Sequence, residues 1–128
     1  MSLSSHQNPN LLQLEFCGLT FSSPITLLSG CVGFGEEYTR IDGFSNSEVG
    51  AIVLKGTTKD SRLGNSPHRV YETPQGMLNA IGLQNPGVTV VVDDILPTLD
   101  FSETHFIANV CGSTIKEYET VTEHFDNS

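Results

Sequence analysis

Apolar residues in this chain fall into short blocks separated by glycine, proline and amide residues. Leu12, Leu14 and Phe16 alternate with polar neighbours, and Leu19 and Phe21 do so again beyond Cys17-Gly18, which predicts a β-hairpin. Three later blocks are continuous rather than alternating: Ile25-Thr26-Leu27-Leu28, Ala51-Ile52-Val53-Leu54 and Phe106-Ile107-Ala108-Asn109-Val110. Runs of this kind predict strands buried on both faces, the habit of parallel sheets.

Between these runs the period changes. Over residues 36–48 an acidic start precedes Tyr38, Ile41 and Phe44 at helical spacing, and Gly50 closes the segment, which predicts a helix despite Gly43 and Asn46. Val70-Tyr71-Glu72 followed by Pro74-Gln75-Gly76 predicts a second hairpin corner. Asn85-Pro86 resembles a helix start, with the asparagine as cap and the proline in the first turn. The valines at 88 and 90–92 favour a strand, but the cap and the continuation Asp93-Asp94-Ile95-Leu96 favour a helix ending at Pro97, and a helix is the expectation. Near the end, Ser113 or Thr114 caps a helix carrying Tyr118, Val121, Thr122 and Phe125 on one side. The alternation of strands and helices gives the fold class α/β, a parallel sheet built from βα units after a β-hairpin. Residues 1–10 read as a frayed terminus and 11–128 as a single domain, since no repeat or linker divides them.

Composition narrows the function. The 128 residues, 38% hydrophobic and 16% charged, suit one domain with a core. Fifteen acidic against six basic side chains leave a net charge of −9, which argues against a general nucleic-acid or membrane-surface binder and for a small-molecule or protein partner. No apolar run reaches the roughly 18 residues of a membrane span, and the opening matches no targeting peptide, so a cytoplasmic protein is expected. Cys17, Cys31 and Cys111 form an odd set without C-x-x-C spacing, expected as reduced thiols. The histidines at 6, 68, 105 and 124 have no ligand spacing, so no metal is expected. Lys55, Lys59, Arg62 and Arg69 gather four of the six basic residues into one stretch, either a small anion site near Lys55 or a solvated loop.

In such an architecture chemistry sits at the carboxyl ends of the strands, here Ser29-Gly30-Cys31, Lys55-Gly56-Thr57 and Asn109-Val110-Cys111. These are expected to converge. The loop from Gly30 to Gly35 has neither a dinucleotide nor a phosphate-loop order. The segment Gly76 to Gly87 mixes carboxamides and glycines with apolar residues. That mixture suits a flat ligand with imide edges, because a carboxamide offers a donor beside an acceptor and glycine admits close backbone approach. It equally suits a set of turn formers.

Leu28-Ser29-Gly30-Cys31-Val32-Gly33-Phe34-Gly35, Lys55-Gly56-Thr57-Thr58, Gly64-Asn65, Pro67 with Arg69, Glu72-Thr73-Pro74 and above all Gly76 to Gly87 resemble the amino-terminal part of the dihydroorotate dehydrogenases, specifically the catalytic subunit of the NAD-linked class. The resemblance runs from about Leu12 onward. It implies the amino-terminal portion of a TIM (β/α)8 barrel, about three βα units, and FMN-dependent oxidation of dihydroorotate to orotate in de novo pyrimidine biosynthesis. It also implies a homodimer and an electron-transfer subunit that carries FAD and an iron-sulfur cluster and passes electrons to NAD. By resemblance, Ser29, Gly30, Cys31, Lys55, Gly56 and Asn109 meet FMN, while Lys55, Asn79, Ala80, Ile81, Gly82 and Leu83 meet the substrate. Lys55 would steady negative charge on the flavin and hold the substrate carboxylate. The family's general base, in a Ser-Cys-Pro-Asn motif, is expected beyond Ser128, as is the FMN phosphate site, so these residues alone are expected to be inactive. The alternative is a non-catalytic barrel fragment serving only as a folding or interaction partner.

Overall fold

The structure, a computed structural model, describes residues 11–128; the frayed terminus expected over residues 1–10 lies outside the described residues. β1 (Leu14–Phe16) and β2 (Leu19–Phe21) form the first hairpin, with Leu14 opposite Phe21. Cys17 and Gly18 make its turn at positive φ, +51° and +79°. Phe21 is buried and packs against His105, ring centroids 4.9 Å apart and the planes tilted by 56°, which fastens the hairpin to the main sheet.

That sheet has three parallel strands in the order β3 (Thr26–Leu27), β4 (Ala51–Val53), β7 (His105–Ile107). Only the middle strand is covered as the sequence predicts, with Ala51 and Ile52 fully buried and Leu54 nearly so. The outer two correct the expectation of burial on both faces: Ile25, Leu28 and Ile107 are exposed because each outer strand has one neighbour. Ile52 packs with Val32 and Val49, joined by Leu27, Tyr38, Phe44 and Phe106. Leu54 packs with Phe34 and Val91 in an adjoining cluster.

The helix expected over residues 36–48 does not form. Two 3-10 turns, Tyr38–Arg40 and Asn46–Glu48, stand in its place. The chain becomes extended at Ile41, turns at Gly43 with φ +85° and is extended again at Ser45, whose hydroxyl accepts the Ser47 N–H. Tyr38, in the first turn, and Phe44, in the stretch between the turns, still reach the core, edge to face at 5.9 Å. Helical spacing here marks inward-facing residues without a continuous helix.

β5 (Val70–Thr73) and β6 (Gly76–Asn79) form the second hairpin, and Val70 pairs with Asn79. α1 begins at Val88–Val90, continues with π geometry through Val91–Ile95 and closes in a 3-10 turn, Leu96–Thr98. Burial of Val88 and Val91 outweighs the valines' strand preference. Pro97, which cannot donate to the ladder, sits inside that closing turn, so the helix runs one residue past it and the chain becomes extended at Leu99. The helix starts at Val88 with Gly87, at φ +91°, in the cap position, so Pro86 lies before it and Asn85 is not its cap; the Asn85 Oδ1 accepts the Gly87 N–H and, from a distant segment, the Thr58 N–H. α2 (Ile115–Asp126) is capped by Thr114, which accepts the Glu117 N–H, while the Glu117 carboxylate accepts the Ser113 N–H. Val121 is its fully buried residue. Thr114→Ala is expected to cost about 1 kcal/mol; an unchanged denaturation midpoint would show that the cap contributes nothing.

Candidate functional site

Beyond the regular ladder, β4 and β7 stay paired. Leu54 donates to the Ile107 carbonyl, Thr57 to Asn109 and Cys111 to Thr57, each at 2.9 Å. This extension sets Lys55-Gly56 beside Asn109, while the Lys55 N–H donates to the Gly33 carbonyl at 2.8 Å and ties the loop after β3 to the same place. The three strand ends therefore meet, because parallel pairing puts all their carboxyl ends on one side.

They line a cleft of about 700 Å³ together with the β6 end, within the roughly 300–1,000 Å³ usual for small-ligand sites. Ser29, Gly30, Cys31, Lys55, Gly56 and Asn109 form one wall, and Asn79, Ala80, Ile81, Gly82 and Leu83 form the other. The residues that the resemblance assigns to FMN and substrate all border this cleft, whereas Thr57, Val110 and Cys111 of the expected strand ends do not. Lys55 is half-buried and forms no ion pair among the described residues. Its ammonium would lie 3.7 Å from a Cβ placed on Gly30. Asn109 Nδ2 donates to Ser29 Oγ at 2.8 Å, so the outer strands are joined across the middle one. Gly56 is buried in the floor, where a Cβ would come within 3.0 Å of Cys111 Sγ and 3.5 Å of Asn109 Nδ2. The floor is thus closed to side chains yet open to a flat ring.

The facing wall is held from behind. Asn65 donates through its backbone to the Ile81 carbonyl at 2.9 Å and through Nδ2 to the Ala80 carbonyl at 2.8 Å. A planar trans peptide points its N–H opposite its carbonyl, so the N–H groups of Ile81 and Gly82 face away from Asn65. Among the described residues, nothing accepts a hydrogen bond from the N–H groups of Ile81, Gly82 or Leu83. Gly82 sits at φ +81°, and a Cβ there would come within 2.8 Å of the Asn65 backbone nitrogen. The wall therefore presents unused donors opposite a lysine, an arrangement suited to an anionic planar molecule.

Two wall residues escaped the sequence reading. Val70 and Met77 also line the cleft, and strand alternation from Asn79 through its partner Val70 and its i−2 neighbour Met77 could have found them. Of the basic cluster, only Lys55 reaches the cleft. Arg62 donates instead to Ser113 Oγ at 2.9 Å, and with Lys59 borders a separate small hollow beside Glu117. An apolar groove of about 550 Å³ on the outer face, between Leu54, Phe106, Leu96 and Phe125, carries no charged side chain. All three cysteines are free, no cluster of metal-ligating groups occurs among the described residues, and none of their helices is long and apolar enough to cross a membrane.

The chain is similar to known proteins in sequence and in fold. The chain is 51% identical over 114 residues to the catalytic subunit of dihydroorotate dehydrogenase B (NAD(+)) of Bacillus caldolyticus, covering 89% of this chain and 36% of that protein. For the same subunit of Geobacillus sp. strain WCH70 the identity is 49% over 119 residues, covering 93% and 37%. A crystal structure of Eimeria tenella DHODH in complex with ferulenol superposes with a TM-score of 0.69 at 17% identity, over 97% of this chain and 36% of that one. The chain thus spans about a third of the length of the relatives it matches. Since the family model for dihydroorotate dehydrogenase matches residues 11–128, nearly the whole chain and all of the cleft, the chain belongs to the dihydroorotate dehydrogenase family.

Proposed function

We propose that the natural protein carrying this chain oxidises dihydroorotate to orotate with bound FMN, in pyrimidine biosynthesis, and passes the electrons to NAD through a partner subunit bearing FAD and an iron-sulfur cluster. The observation that carries this is the cleft itself, which sets a half-buried lysine and the Asn109 carboxamide against a wall that carries Asn79 and a row of unused N–H donors. The names of the relatives support the NAD link and the separate subunit. The fold supports about three βα units of a TIM barrel, with the site at the carboxyl ends of the strands. A homodimer in the cytoplasm belongs to the same reading.

The residues present fit FMN. Gly56 leaves a flat floor, and Ser29 and Asn109 provide polar groups at its edge. Gly30, Cys31 and Lys55 border the same side. When bound, the flavin supplies the hydride acceptor. Lys55 holds the substrate carboxylate and offsets negative charge as the substrate is oxidised, a fixed charge aimed at where negative charge develops. Asn79 pairs with the imide edge of the substrate, and the N–H groups of Ile81, Gly82 and Leu83 bind its anionic end. The group that removes the substrate proton and the FMN phosphate site lie outside these 128 residues, so the chain alone does not complete the reaction.

The natural protein should purify with flavin, and dihydroorotate added without oxygen should bleach its visible absorbance as orotate forms. A protein that holds no flavin, or whose flavin dihydroorotate does not bleach, would sink this reading in favour of a non-catalytic role.

A further inference from the structure

We infer that Asn85 is a positioning residue: its buried carboxamide holds Leu83 in a left-handed conformation and thereby sets the substrate-facing wall of the cleft. The inference rests on the proposed function for what the wall binds, but the conformational part stands on its own.

Asn85 is 6% exposed and uses its whole hydrogen-bonding capacity. Its Oδ1 accepts from the Thr58 N–H at 3.1 Å and the Gly87 N–H at 2.9 Å. Two N–H donors on one atom identify that atom as the oxygen. Its Nδ2 donates to Thr58 Oγ1 at 2.9 Å and to the Leu83 carbonyl at 2.7 Å, while Thr58 Oγ1 donates to the Asp60 carbonyl at 2.7 Å. The Asn85 backbone pairs in both directions with Arg62. One side chain thus joins the exit of β4, the start of α1 and the end of the wall.

Leu83 has φ +54°, directly after Gly82 at +81°. A non-glycine residue there is strained and persists only where its surroundings impose it. Leu83 is 40% exposed, so packing gives this conformation little support. The short bond from Asn85 Nδ2 is the contact that grips this peptide. It holds one end of the wall while Asn65 holds the other, so the carbonyls are occupied behind and the N–H groups are left for a ligand.

Asn85→Asp in the natural protein separates the two functions of this side chain. The variant keeps an acceptor for Thr58 and Gly87 but places a carboxylate oxygen against the Leu83 carbonyl. Orotate should then bind at least about tenfold more weakly, as expected when one buried hydrogen bond is replaced by repulsion, with flavin content unchanged. Deuterium uptake should rise at the Asn65 and Ala80 amides, whose bonds hold the same segment. Adding Leu83→Gly to Asn85→Asp should recover much of the affinity, because glycine adopts positive φ without strain. Should Asn85→Asp not fold, Leu83→Val tests the same point with the hub intact, since a β-branched residue resists this φ. Orotate affinity and deuterium uptake equal to the unmodified protein, in either variant, would overturn the inference. If the unmodified protein binds no orotate, the functional reading fails, and deuterium uptake alone decides whether Asn85 sets the wall.

Discussion

Lys55→Met in the natural protein is expected to lower dihydroorotate turnover by about 10²–10³-fold, the loss typical when one preorganised charge is removed from a developing anion. Methionine keeps most of the apolar stem and deletes the ammonium. The fold should survive, because Lys55 forms no ion pair among the described residues and its structural bond is the backbone one to Gly33. Lys55→Arg should not restore full activity. The ammonium stands close over Gly30, 3.7 Å from where a Cβ on that glycine would lie, and a planar guanidinium needs more room and different partners. Steady-state rates beside thermal unfolding of the same samples check this. Turnover within about threefold of the unmodified protein, or a loss that merely follows a lowered unfolding temperature, would remove Lys55 from the chemistry.

Ile52→Ala is expected to destabilise the natural protein by about 2–5 kcal/mol, the range for emptying a well-packed aliphatic site. Ile52 is fully buried at the centre of β4, against Val32, Val49 and Phe106. It also backs the glycine loop, since a Cβ on Gly35 would lie 3.4 Å from both Ile52 Cδ1 and Cγ2. The cavity would therefore loosen the strand that delivers Lys55 and the loop whose Gly33 carbonyl holds it. Ile52→Val, which loses one methylene, should cost about 0.5–1.5 kcal/mol. Denaturant midpoints at unchanged slope check both values. Two variants of equal stability would mean that this cluster is not the core of the unit.

The parts of the fold legible in the chain are those set by neighbouring residues. Hairpin turns at Cys17-Gly18 and Pro74-Gln75, the Thr114 cap and the apolar run of β4 each arise within a few residues. The meeting of Ser29, Lys55 and Asn109 was legible for a related reason, because parallel strands must present their carboxyl ends together. The segment at 36–48 misled because its apolar spacing is helical while Gly43 and Ser45 break the backbone between two inward-facing turns. Asn85 misled because an asparagine before proline has the local look of a cap, whereas its partners include Thr58, 27 residues away.

By itself, then, the sequence determined the α/β class, the strand that carries Lys55 and the meeting of the strand ends, since periodicity, turn chemistry and strand polarity are local properties, whereas the facing wall from Asn79 to Leu83 was named through the family resemblance. Tertiary structure decided which strands stand at an edge, that Val70 and Met77 turn toward the cleft, and that Asn85 grips Leu83. These depend on which distant segments come to lie side by side, and a buried carboxamide takes its partners from whatever the fold brings within about 3 Å of it.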